Sequence, residues 1–158
     1  MLNVMTPKKS LLFILSVAVA TIAGAWIFQF SGYDPCHLCL MERWSYYAAI
    51  AISLLLLATR SSAKSGLYLL AGIMLASAVF GVYHAGVEWK WWAGPSTCTG
   101  GGTLAGLPDL TKPVVMCDEA AIRIIGLSLA GWNAVISAAL VAVALLGARR
   151  QGSSSVSQ

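Results

Sequence analysis

Residues 65–87 read SGLYLLAGIMLASAVFGVYHAGV, a run of 23 residues without Asp, Glu, Lys or Arg. A helix needs about 20 predominantly apolar residues to cross the hydrocarbon core of a bilayer. The run lacks the alternation of apolar and polar residues that a membrane β-strand shows. We therefore expect a transmembrane helix here.

Three other uncharged runs, at residues 11–30, 44–59 and 124–148, repeat this pattern. The second has only 16 residues, so we expect its helix to begin a few residues earlier, with Glu42 and Arg43 at the membrane interface. The sequence predicts an all-α membrane protein, an antiparallel four-transmembrane-helix bundle. The predicted single domain is residues 1–148, with helices at residues 11–30, 41–59, 65–87 and 124–148.

The composition excludes several classes of protein. The 158-residue chain is 58% hydrophobic and 10% charged, whereas an ordinary soluble domain has about 25% charged residues. These values exclude a water-soluble globule, a disordered chain and a nucleic-acid-binding module. The first apolar run is longer than a signal-peptide core of about 7–15 residues, and no small-x-small cleavage site follows it. We expect it to be retained as a helix.

The charged residues divide between the two ends of the predicted bundle. Six basic residues and no acids lie in the N-terminal segment, the 60–64 turn and the tail 149–158, whereas all six acids lie in segments 31–43 and 88–123. The positive-inside rule places the basic side in the cytoplasm. We expect a bacterial inner-membrane protein with both termini cytoplasmic, a disordered Ser-rich tail over 149–158, and periplasmic loops at 31–40 and 88–123.

The fourth predicted helix carries a small residue at every fourth position. These residues are Gly126, Ala130, Ala134, Ala138 and Ala142. Small side chains let helices approach closely, which is how packing is gained in lipid. We expect this ridge to face a neighbouring helix.

All four cysteines fall in the two predicted outward segments: Cys36, Cys39, Cys98 and Cys117. The space outside a bacterial inner membrane is oxidising, so disulfides persist there. Two cysteine pairs on one membrane face indicate a relay by thiol–disulfide exchange. A lipid-soluble quinone is the natural final acceptor for such a relay.

Cys36 and Cys39 form a C-x-x-C motif where the second helix begins. We expect Asp34 to be the N-cap and Pro35 the first helical residue. The positive end of the helix dipole then favours a thiolate at Cys36. Arg43 is expected near the same helix face, where a fixed cation lowers a thiol pKa further. The motif therefore predicts a reactive dithiol.

Other cysteine sites fit the spacing less well. A zinc site built from all four thiolates needs ligands from two separate loops, and a c-type haem site needs His where Leu40 stands. A disulfide across four residues adds little stability through chain entropy. We therefore expect no metal. Cys98 and Cys117 leave two interpretations open, a static disulfide that closes a Gly-rich loop or a second redox pair.

Several side chains near the outward face have both a structural and a functional interpretation. Arg43 either reaches lipid head groups or stabilises negative charge on a thiolate or a quinone oxygen, and we favour the second. Glu42 is expected to face water or to pair with Arg43. His84 is expected to be an interfacial residue, and its alternative role is quinone protonation with Glu88 orienting it. Three tryptophans are expected to form an interfacial belt in preference to stacking on quinone: Trp89, Trp91 and Trp92.

Three strings of sequence resemble one protein family. PCHLCLMERW at residues 35–44, at the start of the second of four spans, is similar to disulfide bond formation protein B (DsbB). YHAGVEWKWWAGPSTC at 83–98 and PVVMCDEAAIRIIGLSLAGWN at 113–133 resemble one bacterial branch of that family. The resemblance covers roughly residues 10–147. A C-x-x-C-x-x-E-R motif that opens a transmembrane helix is much more specific than C-x-x-C alone.

The resemblance implies a thiol:quinone oxidoreductase. Such a protein reoxidises DsbA, a periplasmic thioredoxin-fold oxidant, and passes the electrons to a respiratory quinone (ubiquinone or menaquinone). Cys98 would then form the mixed disulfide with the partner, with Cys117 as its loop mate. Cys36 and Cys39 would be the pair next to the quinone, Cys39 engaging its ring and Arg43 supporting the reaction. We expect the protein to be a monomer in membrane lipid.

Two rival interpretations remain at this stage. A vitamin-K-epoxide-reductase-like enzyme has its C-x-x-C motif in the last helix, whereas here the motif opens the second helix. A non-enzymatic membrane protein, such as a small channel or an assembly factor, would hold two structural disulfides that do not cycle.

Overall fold

The computed structural model describes residues 6–59, 63–95 and 116–153. Within these ranges, four helices each contain a segment long and apolar enough to cross a membrane. They are α1 (Pro7–Phe30), α2 (His37–Thr59), α3 (Ala63–Glu88) and α4 (Leu129–Ser153). The predicted all-α, four-helix membrane bundle is thereby confirmed.

The first two helices begin earlier than expected. α1 begins at Pro7, four residues before the expected start, because the Thr6 hydroxyl accepts a hydrogen bond from Lys9 N at 3.3 Å and caps the helix. Proline suits this first position because its missing N–H would have no helical partner there. α2 begins at His37, also four residues early, and so includes Cys39 in its first turn.

The expected start of α4 is corrected by five residues, to Leu129, because a short hairpin precedes the helix. Strands β1 (Arg123–Ile124) and β2 (Leu127–Ser128) pair in antiparallel register. The two residues between them, Ile125 and Gly126, have φ of 52° and 81°. A tight two-residue hairpin of type I′ requires positive φ at both of these positions.

Both ends of α4 differ from the sequence-based expectation. At the start, the Ser128 hydroxyl accepts a hydrogen bond from Gly131 N at 3.1 Å and caps the helix. At the other end, α4 continues to Ser153. The disordered tail expected over 149–158 is therefore corrected for its first five residues, which are helical. Residues 154–158 lie outside the described residues.

The contact between α3 and α4 is the most extensive between helices, and it follows the expected ridge only at Ala130 and Ala134. Gly126 lies in the hairpin, and Ala138 and Ala142 are exposed. The two helices approach closely at Gly81, where an added Cβ would lie 2.9 Å from Ala134 N. The buried face of α4 instead follows a three-and-four spacing: Ala130, Asn133, Ser137, Leu140, Ala144 and Ala148.

The two ends of the bundle differ in what they bury. One end, here called the far end, has an apolar core to which all four helices contribute: Leu11, Ile14, Ala49, Leu67, Leu70, Met74, Leu140 and Ala144. At mid-depth the Tyr46 hydroxyl donates to Asn133 Oδ1 at 2.7 Å and lies 2.9 Å from Ser137 Oγ, which is 3.0 Å from Ser77 Oγ. These bonds satisfy polar groups that lipid cannot. At the opposite end, the site end, α1 and α3 finish and α2 and α4 begin.

Candidate functional site

The C-x-x-C motif forms a disulfide at the first turn of α2, between Cys36 and Cys39. Cys36 is itself the capping residue, since its Sγ accepts a hydrogen bond from Cys39 N at 3.1 Å. The cap expected at Asp34 is therefore corrected, because Asp34 and Pro35 precede the helix in irregular structure. A sulfur in this position lies at the positive end of the helix dipole, so a thiolate formed there is stabilised.

His84 approaches the same sulfur from the last turns of α3. Its Nε2 lies 3.5 Å from Cys36 Sγ, and the side chain is 1% exposed. The expectation of an interfacial histidine is therefore corrected to a fully buried one. Once the disulfide is reduced, an imidazole at this position is suited to exchange a proton with the Cys36 thiol.

Two carboxyl groups flank His84. Glu42 Oε1 lies 2.9 Å from Nδ1, whereas Glu88 Oε1 lies 3.9 Å from Nε2. When Glu42 is ionised its carboxylate can only accept, which places the ring proton on Nδ1 and leaves Nε2 facing Cys36. We had expected Glu42 to face water or to pair with Arg43, and the structure corrects both expectations. Glu42 contacts His84 at the place where the sequence interpretation had put Glu88.

Arg43 is held by side chains of α1. Its Nη1 donates to Gln29 Oε1 at 2.7 Å, and its guanidinium carbon lies 5.6 Å from the centre of the Trp26 ring. Both contacts fix the planar cation and match its hydrogen-bonding and stacking preferences. The side chain is therefore preorganised at the wall of the adjacent cavity.

A cavity of about 380 Å³ opens beside the disulfide. Its volume lies in the range of about 300–1,000 Å³ that small-molecule sites occupy. Apolar side chains form most of the wall, including Phe28, Ile122 and Ile136. Trp132 also lines the cavity, whereas Trp89, Trp91 and Trp92 are not among the lining residues. Its polar lining includes Cys36, Cys39, Glu42, Arg43, Tyr46 and Glu88. The arrangement is an apolar chamber with a disulfide and a fixed cation in its wall.

The segment that carries Trp89, Trp91 and Trp92 turns back over the end of α3 and packs Trp92 on it. Trp92 Nε1 donates to Tyr83 O at 2.8 Å, and the two rings stack at 6.1 Å. Gly86 makes this possible, because an added Cβ there would lie 2.0 Å from the Trp92 ring. Trp89 and Trp91 are exposed, 48% and 64%. The segment is thus a turn packed on α3, with two rings directed outward.

The second cysteine segment reaches the site through Cys117. This residue is 1% exposed and shares a buried cluster with Cys36 and Leu38. It is itself disulfide-bonded. Beside it, Asp118 accepts a hydrogen bond from Lys90 Nζ, and this bond holds the pKa of the Asp118 carboxyl below its usual value. The prediction for Cys98 lies outside the described residues.

Comparison with known proteins identifies the family of the chain. The family model described as disulfide bond formation protein DsbB matches residues 7–147. The chain belongs to this family. It is similar to disulfide bond formation protein B of Albidiferax ferrireducens, 26% identical over 153 residues, with 89% of this chain and 86% of that protein covered. It is also similar to the uncharacterized protein RP370 of Rickettsia prowazekii, 27% identical over 139 residues, with coverage of 82% and 81%. No solved structure matches it significantly.

Membership of the DsbB family gives the chain an oxidoreductase role in disulfide formation. The described part of the predicted site comes together around one disulfide: Cys36, Cys39, Arg43, His84 and Cys117. The sequence interpretation missed Glu42 as the partner of His84. A signal was available, because an acidic side chain inside a membrane span marks a functional site by default.

Proposed function

We propose that the chain is a membrane thiol:quinone oxidoreductase that reoxidises a DsbA-like thioredoxin-fold dithiol and passes its electrons to a respiratory quinone. The observation that carries the proposal is the place of the Cys36–Cys39 disulfide, which borders an apolar cavity of a membrane bundle and contacts a buried imidazole. A DsbA-type oxidant has a potential of about −120 mV, so its reoxidation needs a stronger acceptor. Ubiquinone or menaquinone meets that need and reaches the cavity from the lipid.

Electrons enter by thiol–disulfide exchange at the second cysteine pair. A partner thiolate attacks Cys98 of a Cys98–Cys117 disulfide, which forms a mixed disulfide and releases Cys117 as a thiolate. The second partner thiolate then attacks the mixed disulfide, so the partner leaves oxidised and both loop cysteines are reduced. These thiols exchange in turn with Cys36–Cys39. The burial of Cys117 beside Cys36 in one cluster supports a short transfer.

The reduced Cys36 and Cys39 thiols give up two electrons and two protons when their disulfide re-forms, and a bound quinone is the acceptor of both. His84 Nε2 takes the proton of the Cys36 thiol across their 3.5 Å contact. Glu42 stabilises the resulting imidazolium through Nδ1. Arg43 presents a fixed positive charge at the cavity wall, where negative charge develops during the reaction.

The proposed setting is a bacterial inner membrane, with both termini cytoplasmic and the cysteines periplasmic. The supporting observation is the distribution of basic residues, since six of the ten Lys and Arg residues lie in the segments at the end away from the cysteines. The protein acts as a monomer in this proposal.

A direct test uses the full-length protein in detergent with a reduced thioredoxin-fold dithiol and ubiquinone. Quinone absorbance should fall in proportion to the dithiol oxidised, one quinone for each disulfide formed. Omission of either the dithiol or the protein is the control. If quinone absorbance stays constant while both cysteine pairs remain oxidised, the disulfides are structural and the rival interpretation of a non-enzymatic membrane protein is correct.

A further inference from the structure

We propose that the reduced Cys36–Cys39 pair, together with His84 and Glu88, forms a tetrahedral Zn²⁺ site that exists only while the disulfide is open. The two Sγ atoms and a ring nitrogen of His84 all lie within 4.8 Å of one another. Cysteine and histidine are the ligands that Zn²⁺ prefers. This donor set differs from a site made of four thiolates, because it needs nothing from the second cysteine segment.

The separations match those between ligands of one zinc ion. With Zn–S of about 2.3 Å and Zn–N of about 2.0–2.1 Å at tetrahedral angles, sulfur and nitrogen lie about 3.6 Å apart. Cys36 Sγ and His84 Nε2 lie 3.5 Å apart. The two cysteines are also spaced by two residues, as in many zinc sites, and their Cα atoms lie 5.1 Å apart. Opening the disulfide therefore leaves three ligands close to their required places.

Glu88 is the candidate for the fourth ligand, and its side chain must turn toward the sulfurs to reach the ion, because its carboxylate lies outside the group of donors that are within 4.8 Å of one another. Its Oε1 lies 3.9 Å from His84 Nε2, the nitrogen that faces Cys36. The side chain is 6% exposed, and its Oε2 has no hydrogen-bond partner within the described part of the chain. A buried carboxylate oxygen without a partner is costly, and a cation would remove that cost.

Glu42 provides the outer support typical of a zinc-bound histidine. Such a histidine almost always gives its other ring N–H to a carboxylate or a carbonyl, which fixes the ring and its tautomer. Glu42 Oε1 occupies this position, 2.9 Å from Nδ1. Nε2 is thereby left as the metal-binding nitrogen.

Redox state controls the site because disulfide sulfurs are not thiolate ligands. Two-electron reduction gives two thiols, and Zn²⁺ then displaces one proton from each, so that one zinc dithiolate forms and two protons are released. No electron moves in the binding step. Bound zinc also withholds both sulfurs from oxidation. This last consequence, that Zn²⁺ inhibits reoxidation by quinone, rests on the proposed function.

The binding test uses the full-length protein with Cys98→Ser and Cys117→Ser, so that only one pair of thiols is present. Zn²⁺ is titrated against a chromophoric chelator with the remaining pair reduced or oxidised, and Co²⁺ serves as the spectroscopic probe. The reduced protein should bind one ion per chain, with the thiolate charge-transfer and visible bands of tetrahedral cobalt. The oxidised protein should bind none at this site. Equal binding in both states, or cobalt spectra without thiolate bands, overturns the proposal.

Variants then assign the ligands. Glu42→Gln should weaken Zn²⁺ binding about 10–100-fold, as expected for the loss of an outer carboxylate. Glu88→Gln and His84→Ala should weaken it as well. His37→Ala is the matched control, since it alters the only other histidine, which is exposed and lies between the two cysteines. If the His84→Ala variant is folded and its affinity for Zn²⁺ is unchanged, the proposed site is wrong.

A kinetic arm separates this proposal from the proposed function. Reoxidation of the reduced protein by ubiquinone is followed with and without Zn²⁺. Slower reoxidation with Zn²⁺ supports both proposals. If zinc binds but quinone never oxidises the pair, the metal site stands and the proposed function fails. If quinone oxidises the pair and zinc does not bind, only the metal site fails.

Discussion

The two ends of the bundle bury different kinds of residue. The far end buries aliphatic side chains and alanines, whereas the site end buries a disulfide, an imidazole and two carboxyl groups. Buried titratable groups cost stability unless they are paired, so the site end gains less from burial than the far end. One half of the bundle therefore packs the helices together with apolar side chains, and the other half contains the titratable groups of the candidate site. Substitutions should separate these two contributions.

The strongest test of the site end is Cys39→Ser. It should abolish quinone reduction, because a serine hydroxyl cannot form the disulfide, while the bundle remains folded. Quinone absorbance measures the activity, and thermal unfolding in detergent measures the fold. Leu40→Ser is the matched control, since it places serine at the adjacent exposed position. Normal turnover by Cys39→Ser would contradict the assigned redox pair.

The next largest effect is expected for His84→Asn. Loss of the base beside Cys36 should slow reoxidation of the reduced pair about 10²–10⁴-fold, the usual contribution of acid–base catalysis. The contribution of the imidazole to the pH profile should vanish with it, which a merely structural role would not cause. The measurement is the rate of quinone reduction against pH, with His37→Asn as the control. An unchanged profile would remove His84 from the reaction.

The sequence predicted the elements that depend on local pattern. Uncharged runs of membrane-spanning length give four helices, and the C-x-x-C motif was expected where the second helix begins. The sequence left the resting pairing of the cysteines open, and the structure pairs Cys36 with Cys39. The start of α4 was placed too early because residues 124–128 are uncharged and continue the apolar run. The positive φ of Ile125 and Gly126, which sets the hairpin there, is a turn property that hydropathy does not report.

The contacts within the site depend on how the helices are rotated against one another. His84 and Cys36 are separated by 48 positions along the chain, and His84 and Glu42 by 42. No periodicity in one helix specifies which residue of another it meets. The same reason explains the ridge of α4, where Ala138 and Ala142 keep the predicted spacing but point away from α3. The sequence motifs identified the candidate residues. The packing of α3 against the start of α2 determines that His84 contacts Cys36 and Glu42.

The far end can be tested with Leu70→Ala. Leu70 is fully buried, so its truncation leaves a cavity among the helices. Because lipid is as apolar as the core, moving the leucine side chain between them costs little free energy, and most of the destabilisation comes from the cavity. We expect the unfolding free energy to fall by about 1–3 kcal/mol. Turnover per folded molecule should be unchanged. Leu69→Ala, at the 55% exposed neighbouring position, is the control for lost volume alone. Equal losses for both variants would show that the far end does not carry the stability.

The smallest effect concerns Lys90 and Asp118, which join the end of α3 to the Cys117 segment. The hydrogen bond to Lys90 holds the pKa of Asp118 in the folded protein below its ordinary value of 3.8. The ion pair therefore contributes fully to folding stability above pH 3.8, and this contribution is lost as the pH falls through the lowered pKa. Asp118→Asn should therefore lower the unfolding temperature slightly at pH 7 and not at all at the acid limit. High salt should reduce the difference, because the Lys90 side chain is exposed to solvent and Asp118 is partly exposed. Glu119→Gln, one residue away and exposed, is the matched control. The ion pair would contribute nothing to stability if both variants unfolded alike at every pH.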